Sequence, residues 1–180
     1  MHMAHVVKQW TLEEVHSLPD DGNKYELVRG ELFVTPPPTD PHETIGARLT
    51  RLLDRYVESQ GLGYVYHPRS VMRFEGSEVE PDLMVRQLHT NADASCDDAP
   101  VPLLVVEILS PSTRRRDQVQ KRSLYMDAGV AEYWMVDAER RTITAVRPGK
   151  DDVVAREELV WSPAGVAAPF ALEVARVFGA

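Results

Sequence analysis

Leu103-Leu104-Val105-Val106-Glu107-Ile108-Leu109 is the most apolar strand-like run of the chain, and it carries one carboxylate. A run this short, apolar on both alternating faces, is expected of a central strand covered on two sides. By alternation Glu107 shares a face with Leu103, Val105 and Leu109, while Leu104, Val106 and Ile108 point the other way. Taking a carboxylate out of water there costs several kcal/mol unless a cation or hydrogen-bond donors compensate. Two readings follow. Glu107 forms a buried ion pair with an arginine or lies at a strand end more open than the pattern suggests, or it is a metal ligand or catalytic carboxylate.

Outward from this run, the chain alternates strands and helices. Thr11-Leu12-Glu13-Glu14 reads as a capping box opening a short helix that Pro19-Asp20-Asp21-Gly22 ends. Runs 25–28 and 31–34 flank Arg29-Gly30 closely enough for a hairpin. Asp40 suits a helix cap and Pro41 the first helical position; Ile45, Leu49, Leu52, Leu53, Tyr56 and Val57 then form one apolar stripe, ended by Gly61 and Gly63. Strands are expected over 64–66, 70–74 and 82–86. A helix capped by Ser112 or Thr113 runs to Ala128, and a second hairpin joins 133–136 to 142–146. Val153-Val154 and 172–178 read as edge elements. One domain over 1–180, with an α/β (α+β) sheet layered by helices, is the expected architecture.

A lone carboxylate holds magnesium poorly, so Glu107 needs a partner. Asp82 directly follows Pro81 at the start of an earlier strand, where proline is tolerated. Two acids on neighbouring strands can face one cleft. A nuclease-type site also needs a cation, and the chain has only four lysines: Lys8, Lys24, Lys121 and Lys150. Lys121 lies in the helix after the Glu107 strand, with Tyr125 one turn on. Its plainer role is an i, i+4 pair with Asp117. The same helix holds Arg114, Arg115, Arg116, Lys121 and Arg122 against Asp117, a local excess of four positive charges. Such a run is either a solvated face or a track for phosphates.

Across all 180 residues, 20 basic side chains meet 28 acidic ones, a net charge of -8. That excludes a generally basic nucleic-acid coat protein but not a local basic strip. A single cysteine, Cys96, excludes an internal disulfide framework and points to a reducing compartment. No apolar run is long enough for a membrane span, and the first ten residues lack a signal-peptide pattern, so a cytoplasmic protein is expected.

Tyr25-Glu26-Leu27-Val28-Arg29-Gly30-Glu31-Leu32, Pro36-Pro37, His42, Pro81-Asp82-Leu83, Val105 through Thr113, Asp117, Lys121, Tyr125 and Gly129-Val130-Ala131-Glu132-Tyr133-Trp134 together resemble the Uma-two family over about residues 25–146. That family is similar to the restriction-endonuclease-like PD-(D/E)XK nucleases. The resemblance implies a central mixed sheet flanked by helices, with an added N-terminal hairpin. It implies Asp82, Glu107 and the carbonyl of Ile108 as ligands of Mg²⁺ or Mn²⁺, and phosphodiester hydrolysis, of DNA sooner than RNA. The usual nuclease lysine would stand at Leu109, and Lys121 resembles the migrated lysine of some branches. His42 and Glu31 would line the cleft as second-tier residues, although a helix-start histidine is as readily a plain surface residue. Tyr125 would pack, its hydroxyl holding Lys121. Arg114, Arg115, Arg116 and Arg122 are the candidate nucleic-acid contacts, and double-strand cutting would favour a homodimer. The alternative is a catalytically inactive binding or assembly module on the same fold, which Leu109 and the acidic balance favour.

Overall fold

The computed structural model describes residues 8–87 and 99–179; Cys96 and the acidic stretch around it lie outside them. Helix α1 (Leu12–His16) opens with the expected capping box, Thr11 and Glu14 exchanging side-chain-to-backbone hydrogen bonds. Strands β1 (Lys24–Val28) and β2 (Glu31–Thr35) form the expected hairpin. Their register pairs Val28 with Glu31, leaving Arg29-Gly30 as the loop, with φ of 51° and 82°. Two successive positive φ values define the turn whose twist matches a hairpin, and glycine at its second position removes the steric cost.

Helix α2 (Asp40–Ser59) starts one residue earlier than the spacing predicts, with Thr39 in the extended cap position. Its stripe of Ile45, Leu49, Leu53, Tyr56 and Val57 is buried as expected. Gly63 does not terminate it. It begins β3 (Gly63–Tyr66), where an added Cβ would sit 1.9 Å from the Arg86 carbonyl oxygen of the neighbouring strand. Strands β4 (Met72–Phe74) and β5 (Ser77–Val79) make a second tight hairpin. Ser77-Glu78-Val79 has one apolar residue, too few to read as a strand.

Strands β6 (Leu83–Gln87) and β7 (Leu104–Leu109) follow. The expected single helix is instead α3 (Arg114–Arg116), a π-helical turn (Asp117–Lys121) and α4 (Arg122–Asp127). Strands β8 (Tyr133–Asp137), β9 (Thr142–Val146) and β10 (Val153–Ala155) continue the sheet. The tail adds β11 (Glu158–Trp161) and β12 (Phe170–Glu173), paired with each other. Of the edge elements expected over 172–178, the first residues belong to β12 and residues 175–178 form a short helix, α5 (Ala175–Phe178).

The central sheet has the order β10-β9-β8-β7-β6-β3. It is mixed, because β7 runs parallel to β8 and antiparallel to β6. All six residues of β7 are buried, as its two apolar faces require. One face packs Leu104, Val106 and Ile108 against α2 and the tail, with Trp134 and Trp161 in T-shaped contact. The other packs Val105 and Leu109 against Leu124 and Tyr125 of α4 and against Val28, Met72 and Val79 of a second sheet, ordered β2-β1-β5-β4. Residues 80–82 cross from that sheet to β6. Leu49 and Leu53 are fully enclosed, so replacing either with alanine is expected to cost about 2–5 kcal/mol, measurable by urea unfolding.

Candidate active site

The last paired residues of β6 and β7 at this end are Leu83 and Val106. One step further along the same register, Asp82 stands opposite Glu107. There the ladder is replaced by a side chain: Asp82 Oδ2 accepts the Ile108 N–H at 2.7 Å. The same oxygen lies 3.1 Å from His42 Nε2, in the first turn of α2. Asp82 Oδ1 is 3.6 Å from Lys24 Nζ of β1. Burial works against its ionisation, but His42, Lys24 and the Ile108 N–H outweigh it and hold the carboxyl well below its ordinary value. For His42, burial alone would depress the imidazole, yet Asp82 raises it.

Glu107 is met from the opposite layer. Its Oε1 accepts from Lys121 Nζ at 2.7 Å and from Tyr125 Oη at 2.6 Å. The π-helical turn brings the lysine in, with the Arg122 N–H reaching the Asp117 carbonyl five residues back. Such a turn inserts an extra residue and re-aims side chains, often at a functional site. Lys121 is fully buried and pairs on its other side with Glu26 Oε1 at 2.6 Å. The i, i+4 pair with Asp117 is not formed, and the buried partner of Glu107 is a lysine, not an arginine. The Tyr125 hydroxyl likewise holds Glu107 and not Lys121. Burial pushes Glu107 up to about 7, with Asp82 and Asp117 adding to the effect while Lys121 resists it. Burial would lower Lys121, but Glu107 and Glu26 keep it protonated and raise it.

Glu26, Lys24 and Glu80 are the residues that sequence reasoning missed. Glu26 is completely buried in β1, accepting the Glu80 N–H at 2.9 Å beside Lys121. Burial would raise its carboxyl, but Lys121, Lys24 and Arg116 hold it down. Glu31, expected in the cleft, is exposed on β2 and lines neither cavity at the site. The usable signal was the scarcity of lysine: two of the four sit here. Arg29 closes the arrangement by tying the hairpin to Ser123 and Asp127 of α4.

Most arginines of the basic helix are already paired with acids of the chain. Arg114 forks onto Asp137 at 2.5 and 3.2 Å, and Arg122 onto Asp152 at 2.6 and 2.8 Å. Arg116 is buried, donating to Thr35 Oγ1 at 2.8 Å and lying 3.6 Å from Glu26. Arg114 and Arg116 nevertheless line the cleft that holds Asp82 and Glu107, and Arg115 is exposed and forms no ion pair among the described residues. Ser110-Pro111-Ser112-Thr113 turns the chain from β7 into α3. Ser110 and Thr113 exchange backbone-to-hydroxyl hydrogen bonds at 3.3 Å.

Two adjoining cavities of about 640 and 610 Å³ share His42, Asp82 and Ile108; Glu107 and Lys24 line the second. Asp82 and Glu107 with a backbone carbonyl are hard oxygen donors, a set that suits Mg²⁺ or Mn²⁺. Among the described residues no three His, Cys, Asp or Glu side chains converge as a metal-binding group. A cation here would complete its shell with water, as magnesium commonly does.

The fold is shared with a solved structure, described as a "putative nuclease" from Anabaena variabilis, at a TM-score of 0.79 and 21% identity. The match covers 94% of this chain and 97% of that one. No curated protein matches the sequence. A family model described as "Putative restriction endonuclease" matches residues 12–175, beyond both ends of the stretch that carries the sequence resemblance. The chain belongs to that family, Uma-two.

Proposed function

We propose that the protein is a metal-dependent nuclease that hydrolyses phosphodiester bonds, with DNA preferred over RNA. The observation that carries this reading is the convergence of Asp82 and Glu107 at one end of the central sheet, each carboxylate held by separate donors. Asp82, Glu107 and the Ile108 carbonyl would hold Mg²⁺ or Mn²⁺, which when bound polarises a phosphate oxygen and lowers the pKa of a water. The chain's own residues fix the geometry. The Ile108 N–H and His42 occupy Asp82 Oδ2 and leave Oδ1 toward Lys24. Lys121 and Tyr125 both engage Glu107 Oε1, so Oε2 accepts no hydrogen bond among the described residues. Each acid thus keeps one oxygen available to a ligand. Lys121 acts by orienting Glu107, since its burial removes it from the cleft.

Incubation with supercoiled plasmid and with RNA is expected to show cleavage in Mg²⁺ or Mn²⁺, faster on DNA, and none after chelation. Absence of Mn²⁺ binding by calorimetry would sink the proposal. The pairing of Arg114, Arg116 and Arg122 with acids of this chain favours the second reading, an inactive binding module. That reading predicts partner binding that survives chelation.

A further inference from the structure

We infer that Lys24, and not Lys121, is the lysine that touches the scissile phosphate; this rests on the nuclease reading above. Lys121 sits fully enclosed between Glu26 and Glu107, at 2.6 and 2.7 Å, and lines neither cavity. Moving it to a substrate would strip two buried carboxylates of their cation. Lys24 has the opposite situation. Its side chain is 18% exposed, it lines the cleft together with Asp82 and Glu107, and its Nζ is 3.6 Å from Asp82 Oδ1.

An ammonium carries three N–H donors. Lys24 directs one to the Glu80 carbonyl at 3.0 Å, which anchors the side chain. Its other acidic neighbours, Asp82 Oδ1 at 3.6 Å and Glu26 Oε1 at 3.9 Å, lie beyond hydrogen-bond length. Two donors therefore remain for a phosphate oxygen, beside the carboxylate pair and on the side of Asp82 away from the Ile108 N–H and His42. A cation so placed opposes the charge that builds on the phosphoryl oxygens during hydrolysis. The position owes nothing to β7, where the resemblance puts the usual nuclease lysine, at Leu109. It comes from the first strand of the hairpin sheet, which β5 and residues 80–82 connect to β6.

The test uses full-length Lys24→Gln, which can still donate to the Glu80 carbonyl, and Lys24→Arg, which keeps the charge. Cleavage by Lys24→Gln is expected to fall by about 100-fold or more, with partial recovery in Lys24→Arg. Mn²⁺ affinity by calorimetry should not weaken, because a cation beside Asp82 has been removed. Binding of a labelled duplex oligonucleotide in Ca²⁺ should lose about one unit of slope in log K against log salt. Wild-type cleavage and salt slope in Lys24→Gln overturn the inference while the nuclease reading stands. A Lys24→Gln chain that fails to fold, or loses Mn²⁺, makes Lys24 a structural cation and also overturns it. If the wild type binds the oligonucleotide without cleaving it, the nuclease reading fails and the inference falls with it. If it neither binds nor cleaves, both fall together.

Discussion

Lys121→Met is expected to remove about 3–5 kcal/mol of folding stability, the usual consequence of stranding a buried ion. For a chain of this size that lowers the melting temperature by roughly 10 °C. The side chain is fully enclosed, and its loss leaves Glu26 and Glu107 without the ammonium that each contacts. Methionine fills the volume, so the deficit reports charge rather than a cavity. The two acids do not suffer equally. Glu107 can take up a proton, whereas Glu26 still faces Lys24 and Arg116, which favour its ionised form. Adding Glu26→Gln to Lys121→Met should therefore recover part of the loss. Thermal unfolding of the two variants checks this; a loss below about 1 kcal/mol for the single variant would mean the pair is not buried in solution.

Glu107→Gln is expected to abolish metal-dependent cleavage and to weaken Mn²⁺ binding by more than the roughly 10–100-fold typical of changes just outside a metal's own ligands. It should also change how stability responds to pH. Glu107 rises from an ordinary 4.5 to about 7 in the fold, so between those values the folded chain holds a proton that the unfolded chain has released. Its contribution to stability is present in full below about 4.5 and is lost as pH rises through about 7. Metal-free wild type should thus lose stability across that window relative to Glu107→Gln, by an amount on the order of 3 kcal/mol. The difference between the two urea-unfolding profiles isolates this residue, since His42 and Asp82 titrate in both. Parallel profiles from pH 5 to 8 would show that Glu107 titrates normally. An inactive binding module predicts the stability change without any cleavage to lose.

Part of this site was legible because its signals are local. A charged residue inside a doubly apolar strand violates the pattern of its own neighbours, so Glu107 identifies itself. Asp82 is marked by the proline before it and the apolar strand after it. Glu26 violates nothing: in an alternating hairpin strand it reads as a solvent-facing acid. It is buried because Arg29 ties the hairpin to Ser123 and Asp127, and because β5 pairs with β1 across 51 residues, Leu27 to Glu78. The inward turn of Lys121 depends on a π-helical step with no marker in the composition of residues 117–121.

The sequence by itself determined the buried central strand β7, the long amphipathic helix, the hairpin at Arg29-Gly30 and the two acids, since periodicity and turn chemistry act over a few residues. Tertiary structure alone decided which cations serve those acids. Lys121 could have faced water and Lys24 could have been a surface residue. Packing of the hairpin sheet against the helix after β7 enclosed one and left the other at the cleft. A side chain's charge is written in the sequence, but its solvent exposure is set by segments far away along the chain.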